Sequence, residues 1–270
     1  MLRRTILVVV IVLIAGRMAN AAEKKQLLLV GQKRDNHPVT THEFMPGLRI
    51  LAATLEKRDD VEVRVVQADG AWPEGPELIR RADGLVLYVS EGARWIAADP
   101  RRQDAIAQLA ARGGGLTALH WAIGSKDPQY IAAFATLFGG CHGGPDRKYQ
   151  VLETRLQPAE PRHPMARGLA PLTIHDEFYY RLKRPQGAAQ PQPVLTATID
   201  GAEEMVALAF ERPDGGRSFG FTGLHFHENW KQEVYRRLVT QGVLWTLKID
   251  IPAQGVNVDV PPSLFVLPTE

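Results

Sequence analysis

Four short apolar-rich runs punctuate the first half of the chain, at Gln26–Val30, Val61–Val66, Gly84–Val89 and Leu116–Leu119. Runs of this length suit strands buried on both faces. Between them apolar positions recur at helical spacing. Phe44, Leu48, Leu51 and Leu55 share one face, and Ile106 and Leu109 share another between Pro100 and Arg112. Asp127–Phe138 reads as a further helix. Strands alternating with helices predict right-handed crossovers and a mainly parallel sheet. The rhythm then changes to runs at Val151–Leu156, Val194–Thr198, Val206–Phe210 and Ser218–Thr222, separated by Pro- and Gly-rich connections, as antiparallel strands would be. Lys183–Pro193 reads as an exposed loop, Val234–Leu247 as a final amphipathic helix, and the Pro-rich residues 251–270 as an extended tail. The fold class is therefore α/β, a three-layer sandwich whose mainly parallel central sheet carries an antiparallel extension.

The first residues change the picture of charge. Arg3 and Arg4 precede an apolar run from Ile6 to Ala15, and Ala19-Asn20-Ala21-Ala22 follows before Glu23. This is the pattern of a signal peptide over residues 1–22, too short to span a bilayer, so the mature chain is expected to be exported, periplasmic or secreted, without a stable membrane span. Its removal takes away Arg3, Arg4 and Arg17 and no acid, so the formal charge falls from +2 to −1. A near-neutral chain without a basic run has no footprint for nucleic acid and points to a small, uncharged ligand. A homo-oligomer is compatible with it. Residues 23–250 are expected to form one domain. The single cysteine, Cys141, offers no disulfide, and its glycine-rich loop suits a buried small residue better than a nucleophile.

Histidines supply the candidate chemistry. His37 and His42 follow the first predicted strand, His120 follows the fourth, and His225 and His227 follow Ser218–Thr222. In a parallel sheet the carboxyl ends of the strands share one edge, where ligands bind. His142 and His163 carry no such signal, and His175 stands beside the acidic pair Asp176-Glu177.

Three segments carry a family resemblance: Gly113-Gly-Gly-Leu-Thr-Ala-Leu-His-Trp121, Ile174-His-Asp-Glu-Phe-Tyr-Tyr180, and Gly216–His227 with the later Gly242-Val-Leu-Trp245. Together they resemble the ThuA-like family, named for trehalose utilisation, over about residues 26–250. The resemblance implies a flavodoxin-like fold similar to class I glutamine amidotransferases, and a role in sugar metabolism. In amidotransferases the corresponding turn holds a cysteine. Here it reads Ala118-Leu-His120-Trp-Ala, and the later motif reads Gly223-Leu-His-Phe-His227-Glu-Asn229. Without the thiol no acyl-enzyme route of the usual kind exists. The loop Ser90-Glu91-Gly92 lies where the oxyanion hole would be, and Glu91 there suits a ligand hydroxyl.

Two chemistries fit imidazoles and carboxylates without a thiol. One is a divalent metal of open identity held by His42, His120, His225 and His227, with Glu43, Glu177 or Glu228 as the acid. His225 and His227 would chelate together if the segment is extended; otherwise His225 faces the core. The other is acid–base catalysis by His120, with His227 or Glu177 as partner. Trp121, Tyr179, Tyr180 and Trp230 offer apolar faces to a sugar, or else simply pack. The expected function is hydrolysis or isomerisation of a sugar, glycoside or keto-sugar. The alternatives are a non-catalytic carbohydrate-binding protein and an accessory subunit of a sugar dehydrogenase.

Overall fold

A computed structural model describes residues 23–268, so the expected signal segment lies outside the described residues. Among the described residues no helix is long and apolar enough to cross a membrane. The first part of the chain runs β1 (Lys25–Gly31), α1 (Phe44–Leu55), β2 (Val61–Gln67), α2 (Gly75–Arg81), β3 (Gly84–Tyr88), α3 (Gly92–Ala97), α4 (Pro100–Ala111) and β4 (Gly115–Leu119). Then come β5 (Gly124–Ser125), α5 (Ile131–Phe138), β6 (His142–Gly143), β7 (Lys148–Pro158), β8 (Leu172–Tyr180), β9 (Gln192–Ile199), β10 (Ala202–Glu211), β11 (Arg217–Phe221) and α6 (Glu233–Thr246).

Nine strands form one sheet in the order β2-β1-β3-β4-β11-β10-β9-β7-β8, with β5 and β6 pairing separately. The pairings from β2 through β11 are parallel, and those from β11 out to β8 are antiparallel. The antiparallel extension is thus as wide as the parallel part. In β1, Leu27 and Leu29 pack in one apolar layer with α1 and α6, while Leu28 and Val30 pack in the other with α2 to α5. Burial on both faces is why the run is continuous rather than alternating. The helix expected from Asp127 begins at Ile131, after a single 3-10 turn at Pro128–Tyr130 capped by the Asp127 carboxylate.

Returning from the extension, β11 inserts beside β4 with Ser218 opposite Leu116 and Phe221 opposite Leu119. The exits of β4 and β11 are therefore neighbours, and the loop after β1 reaches them through a bridge between Thr41 and Phe226. Beyond α6 the tail docks rather than hangs free. Val256 and Val258 are buried in the α1 and α6 layer, and Arg236 and Gln241 of α6 bond its backbone.

Candidate metal centre

Two strained turns place the first imidazoles. His120 follows β4 with φ +50°, and His42 precedes α1 with φ +53°. Non-glycine residues adopt this left-handed region at a cost and are held there only by their surroundings. His120 is pinned by its own ring, whose Nδ1 lies 3.0 Å from the Thr222 carbonyl. A carbonyl only accepts, so Nδ1 carries the proton and Nε2 is left with a lone pair. His42 repeats the arrangement. Its Nδ1 lies 2.8 Å from Asp35 Oδ2. Burial pushes the Asp35 carboxyl up, but hydrogen bonds from His42 and His37 outweigh it and hold the group below its usual range. The ionised carboxylate fixes the proton on His42 Nδ1, so Nε2 again presents a lone pair.

The two Nε2 atoms face each other at 3.0 Å. His225 completes the group, with Nδ1 3.2 Å from His120 Nε2. All three rings are buried, and all three donor nitrogens lie within 4.8 Å of one another. Burial first, and neighbouring imidazoles second, lower the pKa of His120 far below its usual value and that of His225 to about 3. His42 is lowered by burial as well, against the pull of Asp35. Neutral imidazoles with converging lone pairs are the donor set taken by zinc and similar borderline ions. Around a tetrahedral ion with metal–nitrogen bonds of about 2.05 Å, the nitrogens would stand about 3.3 Å apart. The His42–His120 and His120–His225 spacings, 3.0 and 3.2 Å, are within a few tenths of an ångström of that value.

His225 owes its orientation to Asp176. This fully buried carboxylate accepts the backbone N–H groups of Leu224 (2.7 Å), His225 (3.1 Å) and Phe226 (3.4 Å) and the Tyr235 hydroxyl (3.1 Å). Burial pushes Asp176 up to about 6, partly offset by those donors. Beside it on β8, Glu177 and Tyr179 point to the opposite face. Glu177 Oε1 stands 3.9 Å from His120 Nε2 and 3.8 Å from His225 Nδ1, and burial raises its pKa. The Tyr179 hydroxyl is 3.2 Å from His120 Nε2, and its ring is stacked between His120 (4.8 Å) and His142 (4.1 Å).

A cavity of about 210 Å³ opens beside these groups, lined in part by His42, Trp121, His142, Glu177 and Tyr179. Trp121 meets Tyr179 and His142 at 5.5 Å. His142 belongs here although its sequence context gave no reason to expect it. Asp35 was equally unforeseen, and its place in the same loop as His37 and His42 was the signal available.

Four expected site residues lie elsewhere. His227 does not join the cluster, because the segment after β11 is not extended. Leu224 takes φ +79°, the three amides fold around Asp176, and His227 begins a short 3-10 helix. Its ring is buried with neither nitrogen hydrogen-bonded, and burial lowers its pKa to about 4. Trp230 is fully buried beneath α1, where a Cβ on Gly47 would stand 2.7 Å from its Nε1, so it packs and does not reach the cavity. Glu91, left-handed at φ +46°, turns its carboxylate to the Lys126 amide (2.8 Å) and the Ser125 hydroxyl (3.3 Å), positioning a loop instead of lining the cavity. Tyr180 hydrogen-bonds Asp200 on the outer part of the sheet, away from the histidines. Cys141 is buried with its thiol pushed up to about 12 by desolvation, which keeps it protonated.

No curated protein matches the chain. Among solved structures, a putative ThuA-like protein from Bacteroides uniformis superposes with a TM-score of 0.63 at 13% identity, covering 87% of this chain and 97% of that one. PurLQS from Thermotoga maritima gives 0.45 at 17% identity, with 83% and 98% covered. A glutamine amidotransferase from Thermotoga maritima gives 0.38 at 9% identity, with 82% and 96% covered. The first supports the α/β fold. A family model described as ThuA, trehalose utilisation, matches residues 20–246. The chain belongs to the ThuA family.

Proposed function

We propose that this chain is an exported carbohydrate-active enzyme, a metal-assisted hydrolase or isomerase of a sugar or glycoside. In this reading His42, His120 and His225 hold one divalent ion. The observation that carries it is the pair of Nε2 lone pairs facing each other at 3.0 Å, each fixed by an acceptor on the far side of its ring. Two buried lone pairs at that distance repel unless a cation lies between them. A shared proton is the alternative, but burial disfavours charging any of the three rings. Tyr179 can donate to one of the two nitrogens and not to both.

An ion so held would supply Lewis acidity toward a ligand oxygen. The remaining roles fall to the chain. Glu177, whose pKa is raised by burial and whose carboxylate lies within reach of the same point, serves as the group that takes and returns a proton. Tyr179 stays protonated, because burial and the adjacent Glu177 raise its pKa, and so it orients an acceptor. Trp121 offers an apolar face to a sugar ring. His227, by its position, supports the tail rather than the reaction.

Turnover of a panel of oxidised and unoxidised disaccharides by the metal-loaded protein, with Glu177→Gln alongside, tests this reading. We expect turnover that falls at least about 100-fold in Glu177→Gln while bound metal is retained. Equal turnover in the two proteins would remove Glu177 from the chemistry.

A further inference from the structure

The mouth of the cavity carries two cations that holding a metal does not require. Besides Glu177 and the imidazoles, the charged lining consists of Lys126 and Arg147. The nearby acids are engaged elsewhere. Asp146 pairs with Lys183, and Glu91 bonds the Lys126 backbone and pairs with Arg94. Among the described residues no carboxylate forms an ion pair with Lys126 or Arg147. The Arg147 guanidinium makes one hydrogen bond, to the Gly144 carbonyl (3.3 Å), which leaves most of its five donors free.

The wall that presents these cations is built closely. β5 leads into Lys126, and β6 leads into the turn bearing Arg147. The two strands approach so tightly that a Cβ on Gly124 would stand 2.2 Å from the His142 carbonyl oxygen, and one on Gly143 2.4 Å from that of Ser125. No other residue type fits either position without moving the strands apart. Glu91 then anchors the Lys126 amide from outside. On the inner side lies Trp121, an aromatic ring beside polar imidazoles, while the Tyr179 ring is covered on both faces by His120 and His142.

We propose that the ligand is a sugar acid, a monosaccharide-sized ring that rests on Trp121 while Arg147 and Lys126 hold its carboxylate. The assignment extends the metal reading by naming a substrate class for the same cavity, yet the cationic mouth stands whether or not a metal is bound. Size favours a single sugar unit, since about 210 Å³ is below the roughly 300–1,000 Å³ of sites for drug-sized ligands. Charge favours a monoanion. Arginine's fork suits a carboxylate or a phosphate, but Glu177 shares the small cavity and repels a dianion more strongly than a monoanion. The near-neutral chain as a whole points to an uncharged ligand, whereas the local charges do not.

Calorimetric binding of D-glucuronate, D-galacturonate, D-gluconate, D-glucose and D-glucose 6-phosphate to the mature protein tests the proposal. Metal content is measured on the same samples, and a Lys126→Ala/Arg147→Ala double variant is run in parallel. At least one sugar acid should bind about 10-fold or more tightly than glucose. The preference should vanish in the double variant and weaken at high salt, with metal content unchanged. Equal binding of acids and glucose, no binding of any acid, or an acid preference that survives in the double variant would overturn it. Tighter binding of glucose 6-phosphate than of every acid would overturn the carboxylate assignment. A preserved acid preference in protein that takes up no metal would refute the metal reading alone.

Discussion

The two halves of the sheet equip the site by different means. The parallel half places its imidazoles at strand exits, on backbone held in the left-handed region at His42 and His120. The antiparallel half places its groups within a strand, by simple alternation along β8. Asp176, Phe178 and Tyr180 turn one way and Glu177 and Tyr179 the other, so a single strand supplies both the buried anchor of the His225 loop and the carboxylate that faces His120 and His225. Turns converge groups from distant parts of the chain, whereas alternation separates support from chemistry on opposite faces. A variant in one half should therefore fail differently from a variant in the other.

Replacing Asp176 with Ala should have the largest effect on stability. Four backbone amides, those of Glu177, Leu224, His225 and Phe226, and the Tyr235 hydroxyl would lose their acceptor, at a cost on the order of 3–5 kcal/mol and a fall in Tm of roughly 10 °C. A fall of under about 2 °C by calorimetry would show that the His225 loop does not depend on the antiparallel half. Asp35→Asn sharpens the other side of the contrast. The amide no longer fixes the His42 tautomer, so metal affinity should drop about 10- to 100-fold with little change in Tm. Unchanged affinity in a competitive chelator titration would remove Asp35 from the site.

The pH dependence is smaller and has a definite sign. Burial holds His142 and His225 at about 3 and His227 at about 4, against 6.5 for a free imidazole. Between these values the unfolded chain binds more protons than the folded one. Stability is therefore full above pH 6.5 and is lost on acidification toward pH 4. Asp176, raised from 3.8 to about 6, and Glu177, also raised by burial, oppose this, while the lowered His42 and His120 add to it. Without metal, Tm should fall by more than about 5 °C between pH 7 and 4.5. A constant or rising Tm would contradict the neutral, buried histidines.

The parallel half was the more legible from sequence because burial on both faces leaves unbroken apolar runs. Helices α2 and α3 are too short to show a period. In β8 the alternation is masked by Asp176, a polar residue at an inward position, so the segment reads as a motif rather than a strand. His120 and His42 were legible as residues at strand ends. His227 and Trp230 were misplaced because nothing local announces that three amides fold around a carboxylate about 50 positions earlier. His142 carries no signal in the sequence for a related reason. Its flanking glycines allow β6 to meet β5, and that close approach becomes visible only once both strands are placed.

The central claim is that the converging imidazoles of His42, His120 and His225 hold a divalent ion and that His227 does not take part. Elemental analysis of the purified mature protein tests it most directly, with His120→Ala and His227→Ala prepared in the same way. We expect about one equivalent of a transition-metal ion in the parent and in His227→Ala and almost none in His120→Ala. Metal absent from all three, or retained by His120→Ala and lost from His227→Ala, would contradict it.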